Sequence, residues 1–187
     1  LRLDLDGFNA TFGELQSLRA DRLQDHVRHW LLLSYVGVGD KVAMCWPSFE
    51  AYPLFTALVE AEEIRVPLLD ETFDLPSLAA AIDADTKLAF VTNPNNPTGT
   101  LYTRQELAGL AALAKAHDLF LIADEVYREF VYDGLEHDSI LSLEGMEEHA
   151  VVVESTSKMY SACGARIGAL ITRNRDLMGT ILKYAQA

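Results

Sequence analysis

AVVVESTSKMYSACGARIG, residues Ala150 to Gly168, begins with an apolar run and turns polar at Glu154. It then places Ser155, Ser157 and Lys158 together and sets Arg166 between Gly164 and Gly168. Ala150 to Glu154 has the β-branched, continuously apolar character of a strand buried on both faces, and Ile167 to Thr172 (IGALIT) has the same character. Little apolar surface is on offer between them. The stretch is therefore either a solvated surface turn or the reactive end of a sheet, and the rest of the chain has to decide.

Working outward, the same kind of run recurs at Lys41 to Cys45, Glu63 to Leu68, Lys87 to Thr92 and Leu119 to Ala123. Most of these strands are expected to be buried on both faces. Segments of helical period separate them: Asp21 to Tyr35, Phe49 to Ala61, Leu75 to Ile82, Thr103 to His117, and from Asp176 onward. Leu107, Leu110, Ala111 and Ala114 form an apolar stripe at helical spacing, and Thr103 with Glu106 is placed as a capping box. Strands alternating with helices predict an α/β fold, a three-layer α/β/α arrangement around a mostly parallel sheet.

The chain has 187 residues, 50% hydrophobic and 23% charged, which suits one ordinary globular domain. A formal net charge of -13 disfavours nucleic acid and anionic membrane surfaces as partners, since both would repel it. The apolar run from Trp30 to Val38 is too short to span a bilayer. The N-terminal LRLDLDGFNA lacks the basic-then-apolar pattern of a secretory signal. Cys45 and Cys163 have neither metal-site spacing nor disulfide density, so two reduced cysteines in a cytoplasmic protein are expected, with no metal site. Asn9-Ala10-Thr11 fits the glycosylation pattern, which is common by chance.

Open α/β sheets bind ligands beyond the carboxyl ends of their strands, and three strand ends here carry polar groups. Lys87 to Thr92 is followed by NPNNPTG (Asn93 to Gly99), either a structural loop or a stiffened one whose three asparagine amides are free for a ligand. Leu119 to Ala123 is followed by DEVY, where Asp124 is either a helix cap or a functional carboxylate, with Tyr127 within reach of the same cavity. Ala150 to Glu154 is followed by STSK, where Ser155 and Ser157 could face an anion. Lys158 beside them is a surface lysine, a phosphate partner or an amine nucleophile. Amides, a carboxylate, hydroxyls and an amine on successive strand ends favour a shared site.

With NPNNPTG, DEVY, STSK and GARIG in that order, and GDKV and PSFEAY upstream, the sequence resembles the fold-type I aminotransferases that use pyridoxal 5'-phosphate, class I/II. The resemblance covers Gly39 to Ala187, and the spacings from Asn96 to Asp124 and from Lys158 to Arg166 are like the family's. It implies that Lys158 is the Schiff-base lysine and the base that moves the α-proton. It implies that Asp124 partners the pyridine nitrogen, that Asn96 and Tyr127 donate to the ring's phenolic oxygen, and that Phe49 stacks on the ring. Ser155, Ser157 and Arg166 are implied as the phosphate-binding set, with Arg166 suited to bidentate contact.

The resemblance further implies an amino acid and a 2-oxo acid as substrates and a homodimer with its sites at the subunit interface. Two departures accompany it. The family's small phosphate-binding turn is not recognisable in QSLRADRLQDHVRHW (Gln16 to Trp30), since no glycine lies between Gly13 and Gly37. The chain also stops before the small domain that carries the α-carboxylate arginine. The expectation is an atypical helix-bearing segment at residues 1–38 and a cofactor-binding large domain at residues 39–187. A non-catalytic cofactor-binding module and a related lyase are the alternatives. A DNA-binding regulator is not supported, because no basic N-terminal module precedes the domain.

Overall fold

The computed structural model describes residues 31–185, and in it the apolar runs are strands of one sheet. They are β1 (Lys41–Trp46), β2 (Glu62–Pro67), β3 (Thr86–Thr92), β4 (Phe120–Asp124), β5 (Ala150–Ser155) and β6 (Gly168–Thr172). Each lies within one residue of its expected ends. The order is β2-β1-β3-β4-β5-β6; neighbours are parallel except β6, which runs antiparallel to β5. The inner strands β1, β3, β4 and β5 are buried on both faces, whereas the edge strands β2 and β6 are partly exposed.

The helices are α1 (Ala51–Leu58), α2 (Leu75–Ala81), α3 (Arg104–His117), the single turn α4 (Thr156–Met159) and α5 (Arg175–Ala185). Residues 31–35 are also helical, while the rest of the helix expected from Asp21 lies outside the described residues. Alternation along each strand sorts the side chains into two cores. Ala43, Ala89, Leu121 and Val152 meet α2 and α3 through Leu78, Leu107 and Leu110. Val42, Phe90, Ile122 and Val151 meet α1 and α5 through Tyr52, Phe55 and Leu177. The result is the α/β/α sandwich expected from the sequence. Thr103 and Glu106 form the anticipated capping box at the start of α3, and Asp118 ends that helix in a left-handed conformation (φ 51°).

Register matters most at the carboxyl ends. Thr92 pairs with Asp124, so β3 and β4 end level, and Asp124 pairs with Val153, two residues before β5 ends at Ser155. One step further, the Asn93 N–H donates to the Asp124 carbonyl (3.0 Å) and the Glu125 N–H to that of Val153 (3.2 Å).

The loop after β3 combines the two readings its sequence allowed. Asn93 is buried and fully engaged: its Oδ1 accepts from the Tyr102 N–H (3.0 Å) and its Nδ2 donates to the Asp138 carbonyl (3.3 Å). Asn95 is likewise bound to Ser48, Pro47 and Thr98. Of the three asparagine amides that a purely ligand-facing loop would leave free, two hold the loop together, because buried backbone groups in so tight a turn need partners that the strands no longer supply.

Beyond β4 the chain crosses to β5 with only one 3-10 turn, Ile140–Ser142. What replaces a helix there is Glu125, 1% exposed, whose Oε1 accepts from the Ser139 hydroxyl (3.0 Å) and the Ile140 N–H (2.9 Å). Burial pushes the Glu125 carboxyl up to about 7, against the two hydrogen bonds; Glu154 raises it further and Arg128 opposes.

Two stability outcomes follow from this framework. Asn93→Ala leaves the Tyr102 N–H and the Asp138 carbonyl without their partners and should destabilise the fold by about 2 to 4 kcal/mol in urea melts. Asn96→Ala should stay within about 0.5 kcal/mol of the parent. Glu125 has a folded pKa raised from the ordinary 4.5, so its contribution is fully present below that value and is lost as pH rises toward about 7. Glu125→Gln removes the titration. The stability of the variant relative to the parent should therefore rise with pH across that window, by roughly 3 kcal/mol at most. Urea melts at several pH values would show the divergence, and parallel curves would contradict it.

Candidate active site

The level ends of β3 and β4, with the α4 turn that follows β5, border a cavity of about 270 Å³. Its walls include Phe49, Asn96, Asp124, Tyr127, Ser157, Lys158 and Arg166, together with Thr92, Val126 and Cys163. Seven of the eight residues singled out from the sequence thus share one space. They come from the turn before α1, the loops after β3 and β4, the turn of α4, and the approach to β6. Continuity of chain cannot explain the grouping; the sheet does.

Asp124 ends β4 at 4% exposure. Its Oδ1 accepts from the Val126 N–H (3.2 Å), and the Tyr52 hydroxyl lies 3.5 Å from its Oδ2. That hydroxyl is also 2.7 Å from Thr92 Oγ1, which is 3.1 Å from Ser48 Oγ. Ser48 in turn donates to Asn95 Oδ1 (3.0 Å). A buried chain of hydroxyls therefore ties the Phe49 turn, β3 and Asp124 into one unit. Tyr52 is fixed from its faces as well: it stacks on Phe90 (centroids 4.1 Å apart, 4° between planes) and meets the edge of Phe49 (5.4 Å, 83°). Only Phe49 of PSFEAY was assigned a role from sequence, although the tyrosine one helical turn later was the available signal.

Lys158 lies on the single turn α4, with its Nζ 5.6 Å from the centre of the Tyr127 ring. Such a position suits cation–π attraction and keeps the amine at the cavity wall. Ser155 sits differently from the other candidates. Its hydroxyl accepts from the Ser157 N–H (3.0 Å) and donates to Ser157 Oγ (2.9 Å), capping α4. It lines a neighbouring hollow of about 540 Å³ whose walls are mainly apolar, including Met159, Tyr160, Ile167 and Ile171. There Arg128 Nε stands 3.2 Å from Glu154 Oε1; burial raises the Glu154 carboxyl, and Arg128 works against that rise. Arg166 holds a left-handed backbone (φ 54°) and donates from Nη1 to the Cys163 carbonyl (3.1 Å). For a residue with a Cβ that conformation costs on the order of 1 kcal/mol.

The donor set can be tested against the cofactor that the resemblance implies. An acid suits a ring N–H, an amide and a phenol suit a phenolic oxygen, and a hydroxyl with a guanidinium suits a phosphate dianion. An amine suits an aldehyde carbon, and an aromatic side chain suits a flat ring. All are present on one cavity wall, so the residues fit pyridoxal phosphate. The region of the expected phosphate turn, Gln16 to Trp30, lies outside the described residues. Among the described residues no helix is long and apolar enough to cross a membrane, and no group of three His, Cys, Asp or Glu side chains is placed to hold a metal ion.

The family model described as aminotransferase class I and II matches residues 26–187. The aromatic amino acid aminotransferase of Mycolicibacterium vanbaalenii is 40% identical over 146 residues, 78% of this chain and 41% of that protein. The enzyme of the same name from Thermobifida fusca is 44% identical over 133 residues, 71% of this chain and 36% of its own. Among solved structures, N-succinyldiaminopimelate aminotransferase from Mycobacterium tuberculosis superposes with a TM-score of 0.82 at 28% identity, covering 87% of this chain and 43% of that one. The aromatic aminotransferase of Pyrococcus horikoshii gives a TM-score of 0.82 at 28% identity, covering 87% and 44%. The chain spans about two fifths of the length of the relatives it matches. By sequence match and by fold, the chain belongs to the aminotransferase class I and II family.

Proposed function

We propose that this chain forms the cofactor-binding part of a pyridoxal-phosphate-dependent aminotransferase that moves an amino group between an α-amino acid and a 2-oxo acid. The observation that carries the reading is the single cavity shared by Lys158, Asp124, Asn96, Tyr127, Phe49, Ser157 and Arg166. Pyridoxal phosphate, when bound, supplies an electron sink for the charge that develops at the substrate's α-carbon. The protein's part is positioning and proton handling. Asp124 would accept from the ring nitrogen and keep it protonated, its carboxylate held in place by Val126 and the Tyr52 hydroxyl. Asn96 and Tyr127 would donate to the phenolic oxygen, and Phe49 would cover one ring face. Ser157 and Arg166 would hold the phosphate, with Ser155 acting through Ser157. Lys158 would bind the aldehyde carbon and, once released, carry a proton at Nζ to and from the substrate.

An aromatic amino acid is the donor this reading favours, supported by relatives of that name at 40% and 44% identity. The proposal extends to a homodimer in the cytoplasm. Leu54 and Leu58, one turn apart on α1, are 58% and 57% exposed and form a stripe a second copy could cover. Cys45 and Cys163 are free thiols, as suits a reducing compartment.

The five lysines separate this reading from its competitors in one experiment. Lys41 is held by Asp83 (2.6 Å) and Lys87 lies 4.0 Å from Asp40, both remote from the cavity. Borohydride reduction of the chain with pyridoxal phosphate, followed by peptide mapping, should therefore place the label on Lys158. Label spread over Lys41, Lys87, Lys115 and Lys183 would refute the assignment. Visible spectra recorded as aromatic and acidic amino acids are added should change with the aromatic ones; no change with any amino acid would favour a non-catalytic module.

A further inference from the structure

The acidic residue beside Asp124 has no part in the chemistry above, yet it is the more deeply buried of the two. Asp124 and Glu125 leave the end of β4 toward opposite faces. Asp124 faces Tyr52 and the cavity, and Glu125 faces the crossover that leads to β5. Glu125 Oε1 is saturated by Ser139 and Ile140, but its Oε2 is buried without a hydrogen bond and stands 4.0 Å from His137 Nε2. His137 Nε2 in turn donates to the Asn93 carbonyl (3.1 Å), the first residue of the loop that carries Asn96. Since a carbonyl can only accept, that nitrogen bears the proton.

We propose that Glu125 and His137 are a positioning pair that clamps the Asn93–Gly99 loop onto the end of β4, and so sets Asn96 relative to Asp124 across the cavity. The crossover reaches the loop twice, through His137 and through the Asp138 carbonyl that receives the Asn93 amide. Asp138 is itself anchored to α3 by Arg104 Nη1 (2.7 Å). Without the clamp, the start of the loop would be held to the sheet by the strand-end bond from Asn93 N–H to Asp124, and its middle by the Asn95 bonds to Ser48 and Pro47. The charged groups that bear on the pair are Arg128 and Glu129 from the segment after β4, Glu154 from β5, and Asp138. Burial lowers the proton affinity of His137 while it raises that of Glu125. Both directions favour a neutral pair, which needs no counter-ion in the dry space behind the site.

The inference rests on the cofactor reading for its consequence but not for its test. Amide hydrogen exchange is measured on the full chain and on His137→Phe, His137→Gln and Glu125→Gln, alongside titration with pyridoxal phosphate followed by absorbance. In His137→Phe the Asn95, Gly99 and Tyr102 amides should exchange at least tenfold faster, and pyridoxal phosphate should bind about tenfold more weakly. His137→Gln keeps an N–H donor and Glu125→Gln keeps the acceptor for Ser139 and Ile140, so both should recover most of the protection. Acceleration spread evenly over β1 to β5 would mark a general loss of stability and overturn the proposal. Unchanged exchange at the three loop amides would overturn it as well, whatever the cofactor does. Faster loop exchange in a chain that takes up no pyridoxal phosphate even as the parent would support the clamp and remove the cofactor reading instead.

Discussion

The gathering of three parallel strand ends on one edge of the sheet is the constraint from which the site follows. Inside β3, β4 and β5 nearly every position is buried, where an unpaired polar side chain is costly. Chemistry is therefore confined to the positions where the strands stop. Parallel pairing puts all of those stops on one edge, and the register ends β3 and β4 level at Thr92 and Asp124, with β5 running two residues further to Ser155. A shift of β4 by one residue would exchange Asp124 with Glu125, turning the carboxylate that now faces the cavity toward the crossover. Register is held by the two cores, which accept only one parity of each strand.

Polar groups at this edge divide into those spent on structure and those left for a ligand, and the division is visible in pairs of neighbours. Asn93 and Asn95 are consumed by backbone and hydroxyl partners, whereas Asn96 lines the cavity. Ser155 caps α4, whereas Ser157 faces the cavity. Glu125 secures the crossover, whereas Asp124 faces Tyr52. In each pair the structural member is the more buried. Rigid placement of the less buried member depends on its neighbour, because a side chain at a strand end or on a loop is only as well positioned as the hydrogen bonds around it.

Strand limits were legible almost to the residue, because continuous runs such as KLAFVT and AVVVE admit little but a buried strand once helical segments flank them. The capping box of Thr103 and Glu106 was legible for the same reason: its spacing is its mechanism. What could not be extracted was the use of identical residue types. Three asparagines in NPNNPTG look alike in sequence, and only the folded loop decides that Tyr102 and Asp138 claim the first. Likewise DEVY shows two adjacent carboxylates, but Glu125 acquires its role from Ser139, Ile140 and His137, which lie far along an irregular crossover with no periodicity to read. The hydroxyl chain from Ser48 through Thr92 and Tyr52 to Asp124 is legible only as geometry, since it joins three separate elements.

The charge distribution sets a further condition on how an anionic cofactor is held. A chain of net charge -13 repels a phosphate dianion at long range, yet salt screens such fields beyond about 8 Å. Within that distance the dianion would meet Arg166 and Lys158 on the cavity wall, with Ser157, the residue before Lys158, on the same wall. The cations would therefore act where screening is weakest and hydrogen bonds are directional. Affinity in such an arrangement comes from contact rather than from steering. It depends on how rigidly α4 and the Arg166 turn are presented, through the Ser155 cap at one and the Cys163 carbonyl at the other.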